Sequence, residues 1–283
     1  RINDNDSADG ANPVAWPAGF NAAFFVRQHY LDFLNREPDP PGYTFWQGEL
    51  FNCGINPACT EVRRINVSAA FFLSIEFQET GYLVERMYKA AFGDAMGVTR
   101  ISGTPVQIPV PVVKRSELLA DSKAIGSGVV VGQAGWPQLL DANKTAFAQT
   151  FVQRERFASG YPQTMTAAQF VDALFTNARV TPTAEERQAA LAAFGAGDVA
   201  GRAAALRSVA QSASFDAAEK NRAFVLMQFF GYLQRDPDSG RDADHTGYQY
   251  WLDKLNQFGG NFVSAEMVKA FINSDEYHRR FSQ

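Results

Sequence analysis

The sequence is poor in the residues and runs that most function classes require. Three histidines and two cysteines are all that 283 residues contain. His29, His245 and His278 are far apart and fall in no HExxH or triad-like context. No GxSxG, phosphate-binding loop or CxxC pair occurs. The glycine-rich GVVVGQAGW (128–136) lacks the GxGxxG spacing and the Walker lysine, so it reads as a packed loop anchored by Trp136. Positive charge is not in excess either. The formal net charge is −4 and the pI is near 5.5, so nucleic acid is not an expected partner. No apolar run approaches the ~20 residues that cross a bilayer, and no transmembrane segment is expected. The chain starts at Arg1 without a visible signal peptide and is read as a piece of something longer or a processed form.

The two cysteines lie together in NCGINPAC, as Cys53 and Cys59. Two thiols cannot complete a structural zinc site, which takes four ligands. A local disulfide closing a turn fits the Gly and Pro between them and implies an oxidising compartment; two free cytosolic thiols are the alternative.

Phenylalanine is abundant, with 24 residues against 9 Tyr and 4 Trp, enough for a large apolar core. Much of it recurs in register. In FVRQHYLDFLNREPDPPGYTFWQGEL (25–50) and FVLMQFFGYLQRDPDSGRDADHTGYQYWLDKL (224–255), the Phe-Val starts match. So do Arg36, Pro38 and Asp39 with Arg235, Pro237 and Asp238, and Gly42 and Trp46 with Gly247 and Trp251. Each copy runs on to a Ser-x-x-Phe/Tyr end, at Ser74–Phe77 and Ser274–Tyr277. A degenerate copy between them keeps Phe170-Val171, Pro182 and Ser212–Phe215 but lacks the Arg, Asp and Trp. Phe25, His29, Tyr30 and Phe33 recur at helical spacing. Thr183 before a glutamate-rich turn, and Ser264 before Glu266, predict helix starts. PVQIPVPVV (105–113) is β-rich but broken by prolines, which predicts an extended connector.

The expected fold is therefore mainly α: tandem helical modules, two clear and one degenerate, with a long irregular connector and little or no β. The segments are a tail at 1–19, module 1 at 20–96, the connector at 97–145, the degenerate module 2 at 146–218 and module 3 at 219–283.

These motifs resemble the bacterial domain-of-unknown-function family numbered 4214. Its pattern is an apolar helix, a Gly-Arg-x-Pro-Asp-like corner, a Gly, a Trp helix and a Ser-x-Glu-Phe/Tyr end. Asn35 and Gln234 stand where that family often has Gly. The resemblance implies a secreted or cell-surface address and no established activity. RINDNDS (1–7) is similar to the closing strand of a Calx-beta domain, which would make Asp4 and Asp6 remnants of a calcium site.

Glu37 and Asp39 could be taken for a glycosidase pair, but carboxylates two residues apart at a helix-breaking Pro point in different directions. Each residue of the corner has a structural use. Pro38 ends a helix, Asp39 caps the next, the prolines at 40 and 41 suit its first turn, and Arg36 can reach Asp39. Trp46 and Trp251, at helical spacing beside Leu, are expected in the core rather than stacked on sugar. The insert DPDSGRDADH (236–245) offers Asp236, Asp238, Asp242 and Asp244 around a Gly. Two readings stand for it, a calcium loop and a solvated acidic loop. Calcium is thus the one cofactor expected at all. The expected function is a non-enzymatic, extracellular or cell-surface module of adhesion or assembly. It would contact itself, other surface proteins or polysaccharide. A carbohydrate-binding module of a larger secreted protein is the runner-up, and a hydrolase-associated domain comes third.

Overall fold

The computed structural model describes residues 12–282. They form two compact units. The first gathers the chain up to Phe77, Phe224–Ala243 and the part from Gly247 onward, so it holds the first and last copies of the repeat. The second is Gln78–Ala223 with Asp244–Thr246.

In the first unit, the helix Ala22–His29 starts at Asn21, whose side chain accepts from the Phe24 N–H at 3.0 Å. It passes into a π turn, Tyr30–Leu34, and stops at Asn35 in the left-handed region, φ 54° and ψ 34°. The last copy repeats this course. The helix Ala213–Met227 passes into a π turn, Gln228–Leu233, which stops at Gln234 with φ 57°. The degenerate copy does not: its helix Ala167–Ala178 remains α and stops at Arg179 with φ 58°. The left-handed residue thus falls ten residues after Phe25 and Phe224 but nine after Phe170. A π turn is one extra residue wound into an α-helix, and that residue accounts for the offset. All three copies stop at a left-handed residue, and in the first and last Asn35 and Gln234 carry the conformation that Gly adopts most cheaply.

Four residues after each Phe, the two π-turn copies carry a polar side chain on the carbonyl one turn back. His29 Nδ1 lies 2.7 Å from Phe25 O, and Gln228 Nε2 donates to Phe224 O at 3.0 Å. The all-α copy has Leu174 there. The two π turns meet in the core of the unit. Phe33 packs on Tyr232 with ring centroids 5.0 Å apart, and a Cβ on Gly231 would sit 2.5 Å from Phe33 Cζ.

The second unit corrects the expected connector. Residues 97–145 are ordered: a β-hairpin of β1 (Ala95–Ile101) and β2 (Thr104–Val110), the helix Arg115–Gly126, a turn, and the start of the helix Trp136–Val152. The fold is mainly helical with little β, as expected, and its two short strands are this hairpin. The signal was the Ser102-Gly103 dipeptide, whose φ angles of 50° and 83° make a two-residue turn suited to strand twist. The prolines do not prevent pairing. Ile101↔Thr104 closes the turn as a hydrogen-bonded pair, so alternate pairs are hydrogen-bonded. Pro105 and Pro109, opposite Arg100 and Met96, fall in the other set, where a backbone N faces away from the partner strand. The free edge of β2 is thereby denied two donors, which discourages strand addition. On the β1 edge, His245 N donates to Val98 O at 2.7 Å, and Arg100 N to Thr246 Oγ1 at 2.9 Å.

The remaining helices of this unit start as local chemistry dictates. Thr166 with Gln169, and Thr183 with Glu186, form capping boxes. In the first unit Ser264 does not behave as expected: the helix begins at Met267, and Asn261 instead accepts from the Val263 and Ser264 N–H groups of a preceding turn. Among the described residues, no helix is long and apolar enough to cross a membrane.

Candidate functional site

The corner of the first copy is filled by its own side chains. Asp39 caps the helix Pro40–Phe51, its Oδ1 accepting from the Gly42 N–H at 2.9 Å. Arg36 donates to both Glu76 oxygens, at 2.6 and 2.7 Å, and to Asp39 at 3.2 Å. Although burial pushes the Asp39 carboxyl up, the Gly42 N–H and Arg36 hold it below the usual carboxylate range. Gly42 is required because a Cβ there would collide with the Tyr30 hydroxyl. That hydroxyl is in a hydrogen bond with Trp46, and burial pushes its pKa up to about 12. Glu37 is directed elsewhere and pairs with Arg27 at 2.6 Å. The two carboxylates are therefore separated, one capping a helix and one in a surface ion pair.

The last copy rebuilds this corner with different residues. Arg235 donates to Glu276 at 2.6 Å and to Asp242 at 2.7 Å. Where Asp39 both meets Arg36 and caps a helix, the last copy uses two carboxylates of its insert: Asp242 takes the arginine, and Asp244 takes the start of the helix Thr246–Gln257, accepting from the Thr246 N–H at 3.0 Å. The insert closes around a cation of its own. Arg235 Nη1 donates to the Asp236 and Ser239 carbonyls at 3.1 and 2.8 Å. Gly240, at φ 70°, lets the chain pass against the Arg235 side chain. Asp244 also pairs with Arg100 at 3.0 Å. The Thr246 hydrogen bonds, with Arg100, hold its carboxyl below the usual range.

Among the described residues, no group of three or more His, Cys, Asp or Glu side chains is disposed to hold a metal ion. Asp4 and Asp6 lie outside the described residues. Because Arg235 and Arg100 engage two of the four loop carboxylates, chelation with EDTA is expected to move the melting temperature by less than about 2 °C. A larger fall, reversed by calcium, would restore the calcium reading.

The two repeated tryptophans are partly buried rather than fully enclosed. Trp46 and Trp251 each pack on a phenylalanine of the following helical segment, Phe71 at 5.6 Å and Phe271 at 5.5 Å, and Lys254 Nζ lies 5.2 Å over the Trp251 ring. Beside Trp251 the last copy opens a cavity of about 270 Å³, into which Arg235, Asp242, Gly247 and Glu276 face. Glu276 and Phe271 were missed as site residues in the sequence. The available signal was the recurrence of a motif Arg and a motif Glu in both copies, 40 and 41 residues apart.

A second polar cluster is buried in the other unit. Lys89 bonds Glu219 at 2.5 Å, and Arg222 bridges Glu219 and Asp94 at 2.9 and 2.7 Å. Glu85 is buried beside them, and burial, then the Glu219 charge, push its carboxyl well above the usual range. This cluster ties helices together. Cys53 and Cys59 form the expected disulfide, with Cα atoms 5.5 Å apart.

Residues 17–81 match the family model described as Domain of unknown function (DUF4214). The matched stretch spans the whole first corner, from the helix before Arg36 to Phe77. No curated protein and no solved structure matches the chain, and the family match does not extend to residues 1–7.

Proposed function

We propose that the chain is a non-enzymatic module of an extracellular or cell-surface protein, and that it associates with further copies of itself through module 1. The observation that carries this reading is the surface around the disulfide. Ile55, at the tip of the closed loop, is 103% exposed, and Phe51 before it 64%. Phe45 and Val62 on the flanking helices are 58% and 56% exposed. Large apolar side chains presented to water favour association. A loop held by a disulfide and by the Asn56 cap, which accepts from the Cys59 N–H at 3.1 Å, loses little freedom when it docks. The disulfide also suits an oxidising compartment.

Sedimentation equilibrium across a wide concentration range tests this. Concentration-dependent association is expected, weakened roughly tenfold or more by Phe51→Ser with Ile55→Ser. A chain that stays monomeric at the highest concentration overturns the reading.

A further inference from the structure

We infer that the cavity in the last copy is a binding site for a neutral polyol of about one ring, such as a single hexose unit. The argument begins from the two copies of one corner. In the first, the Tyr30 hydroxyl lies against Gly42 and meets the Trp46 indole. The corresponding residue of the last copy, five places after its Phe-Val start, is Phe229. Losing that hydroxyl removes the atom that fills the corner and the partner that Trp46 has. A Cβ on Gly247 would be 3.6 Å from Phe229 Cζ, an ordinary contact rather than a collision. In the longer loop the helix start passes to Asp244 and the arginine partner is Asp242, which lines a cavity of about 270 Å³.

The lining selects the ligand class. Asp242 and Glu276 disfavour an anion, since a like charge brought to either would be partly desolvated beside it, and Arg235, which donates to both, offsets their pull on a cation. What remains is a neutral molecule that offers donors. The Arg235 N–H groups are spent on Glu276, Asp242 and the carbonyls of the loop, and the Asp242 and Glu276 carboxylates keep lone pairs that accept from hydroxyls. Trp251, Phe229 and Phe271 provide apolar walls for the C–H face of a ring. The volume is just under the roughly 300–1,000 Å³ of sites for drug-sized ligands, so one ring fits and an extended ligand would project from the mouth. The aromatic walls and the Arg235–Glu276 pair are already in place, so binding need not order them.

The full chain should be titrated with methyl α-glucoside, methyl α-mannoside, methyl β-galactoside and myo-inositol. Calorimetry and ligand-observed NMR would report binding, with acetate and methylguanidinium as charged controls. At least one polyol should bind saturably, with Kd on the order of 1 mM. Trp251→Ala should weaken it at least roughly tenfold. Phe229→Tyr, which returns the hydroxyl of the first copy, should weaken it as much while leaving the melting temperature unchanged. That variant separates a filled cavity from a damaged fold. The inference is overturned if none of the four polyols saturates, if affinity survives Phe229→Tyr, or if a charged control binds in their place. Because the proposed self-association rests on Phe51 and Ile55 in the first copy, either result can fail without the other.

Discussion

Lowering the pH from 6.5 to 4 should destabilise the protein steeply, and His29→Gln should remove much of that slope. The His29 ring is fully enclosed, between the Phe25 carbonyl and the Ser68 hydroxyl at 2.9 Å. Burial, with smaller contributions from the Arg64 and Arg280 charges, lowers its pKa to about 3, against the opposing pull of the Phe25 carbonyl. Nδ1–H then donates to Phe25 O, and Nε2 accepts from Ser68. The unfolded chain takes up a proton near pH 6.5 and the folded chain does not. Between these values the unfolded state binds more protons, so stability falls as pH falls, by roughly 4 kcal/mol at pH 3. His278, whose pKa burial also lowers, acts in the same direction. Glu85 acts in the opposite one, because its raised pKa adds stability that is lost as pH rises. Urea titrations of the wild type and His29→Gln at several pH values isolate the His29 share. Gln228 already holds the equivalent place in the last copy and makes the same carbonyl bond, so the variant is expected to fold. Equal pH slopes for the two proteins would rule out a neutral buried imidazole.

Arg280→Ala should cost about 3 kcal/mol or more, the range found when a buried ion pair loses one partner. Asp32, buried in the first π turn, receives both Arg280 Nη groups at 2.8 and 2.7 Å. The same guanidinium donates to Gly231 O and Tyr232 O at 3.2 and 2.7 Å, near the end of the second π turn, where a cation is favoured. Removing it leaves the carboxylate with the amides of Gln28 and Gln234 at 2.8 and 3.1 Å. Adding Asp32→Asn to Arg280→Ala should recover part of the loss, because the side chain left behind is then neutral. A double variant less stable than Arg280→Ala alone would show that the buried charge is not the main cost. The readout is the urea midpoint and slope of each variant.

Residues whose partners lie within a few positions were legible from the sequence. Asp39 with Pro40 and Pro41, Thr183 with Glu186, and Ser274 with Tyr277 each form a cap that closes over three residues, so spacing alone identifies them. Cys53 and Cys59 were legible for the same reason. Ser264 misled because the N–H groups it would cap go to backbone carbonyls of the turn that Asn261 starts, Glu266 N–H to Val263 O at 2.9 Å and Met267 N–H to Phe262 O at 3.1 Å. The hairpin was missed because proline count was weighed without register, and register depends on the Ser102-Gly103 turn.

The sequence by itself determined a helical protein with a repeated corner, since hydrophobic periodicity and capping are local properties. Tertiary structure decided what each corner does. A π turn in two copies shifts the chain by one residue and sets two aromatic helices against each other. Arg36 and Arg235 find their glutamates 40 and 41 residues away. The exchange of Tyr30 for Phe229 is a single oxygen in the sequence, and the cavity that Phe229 lines is also shaped by Asp242 of the longer loop and by the distant Phe271 and Glu276. Spacing cannot report such changes, because empty volume depends on every side chain around it.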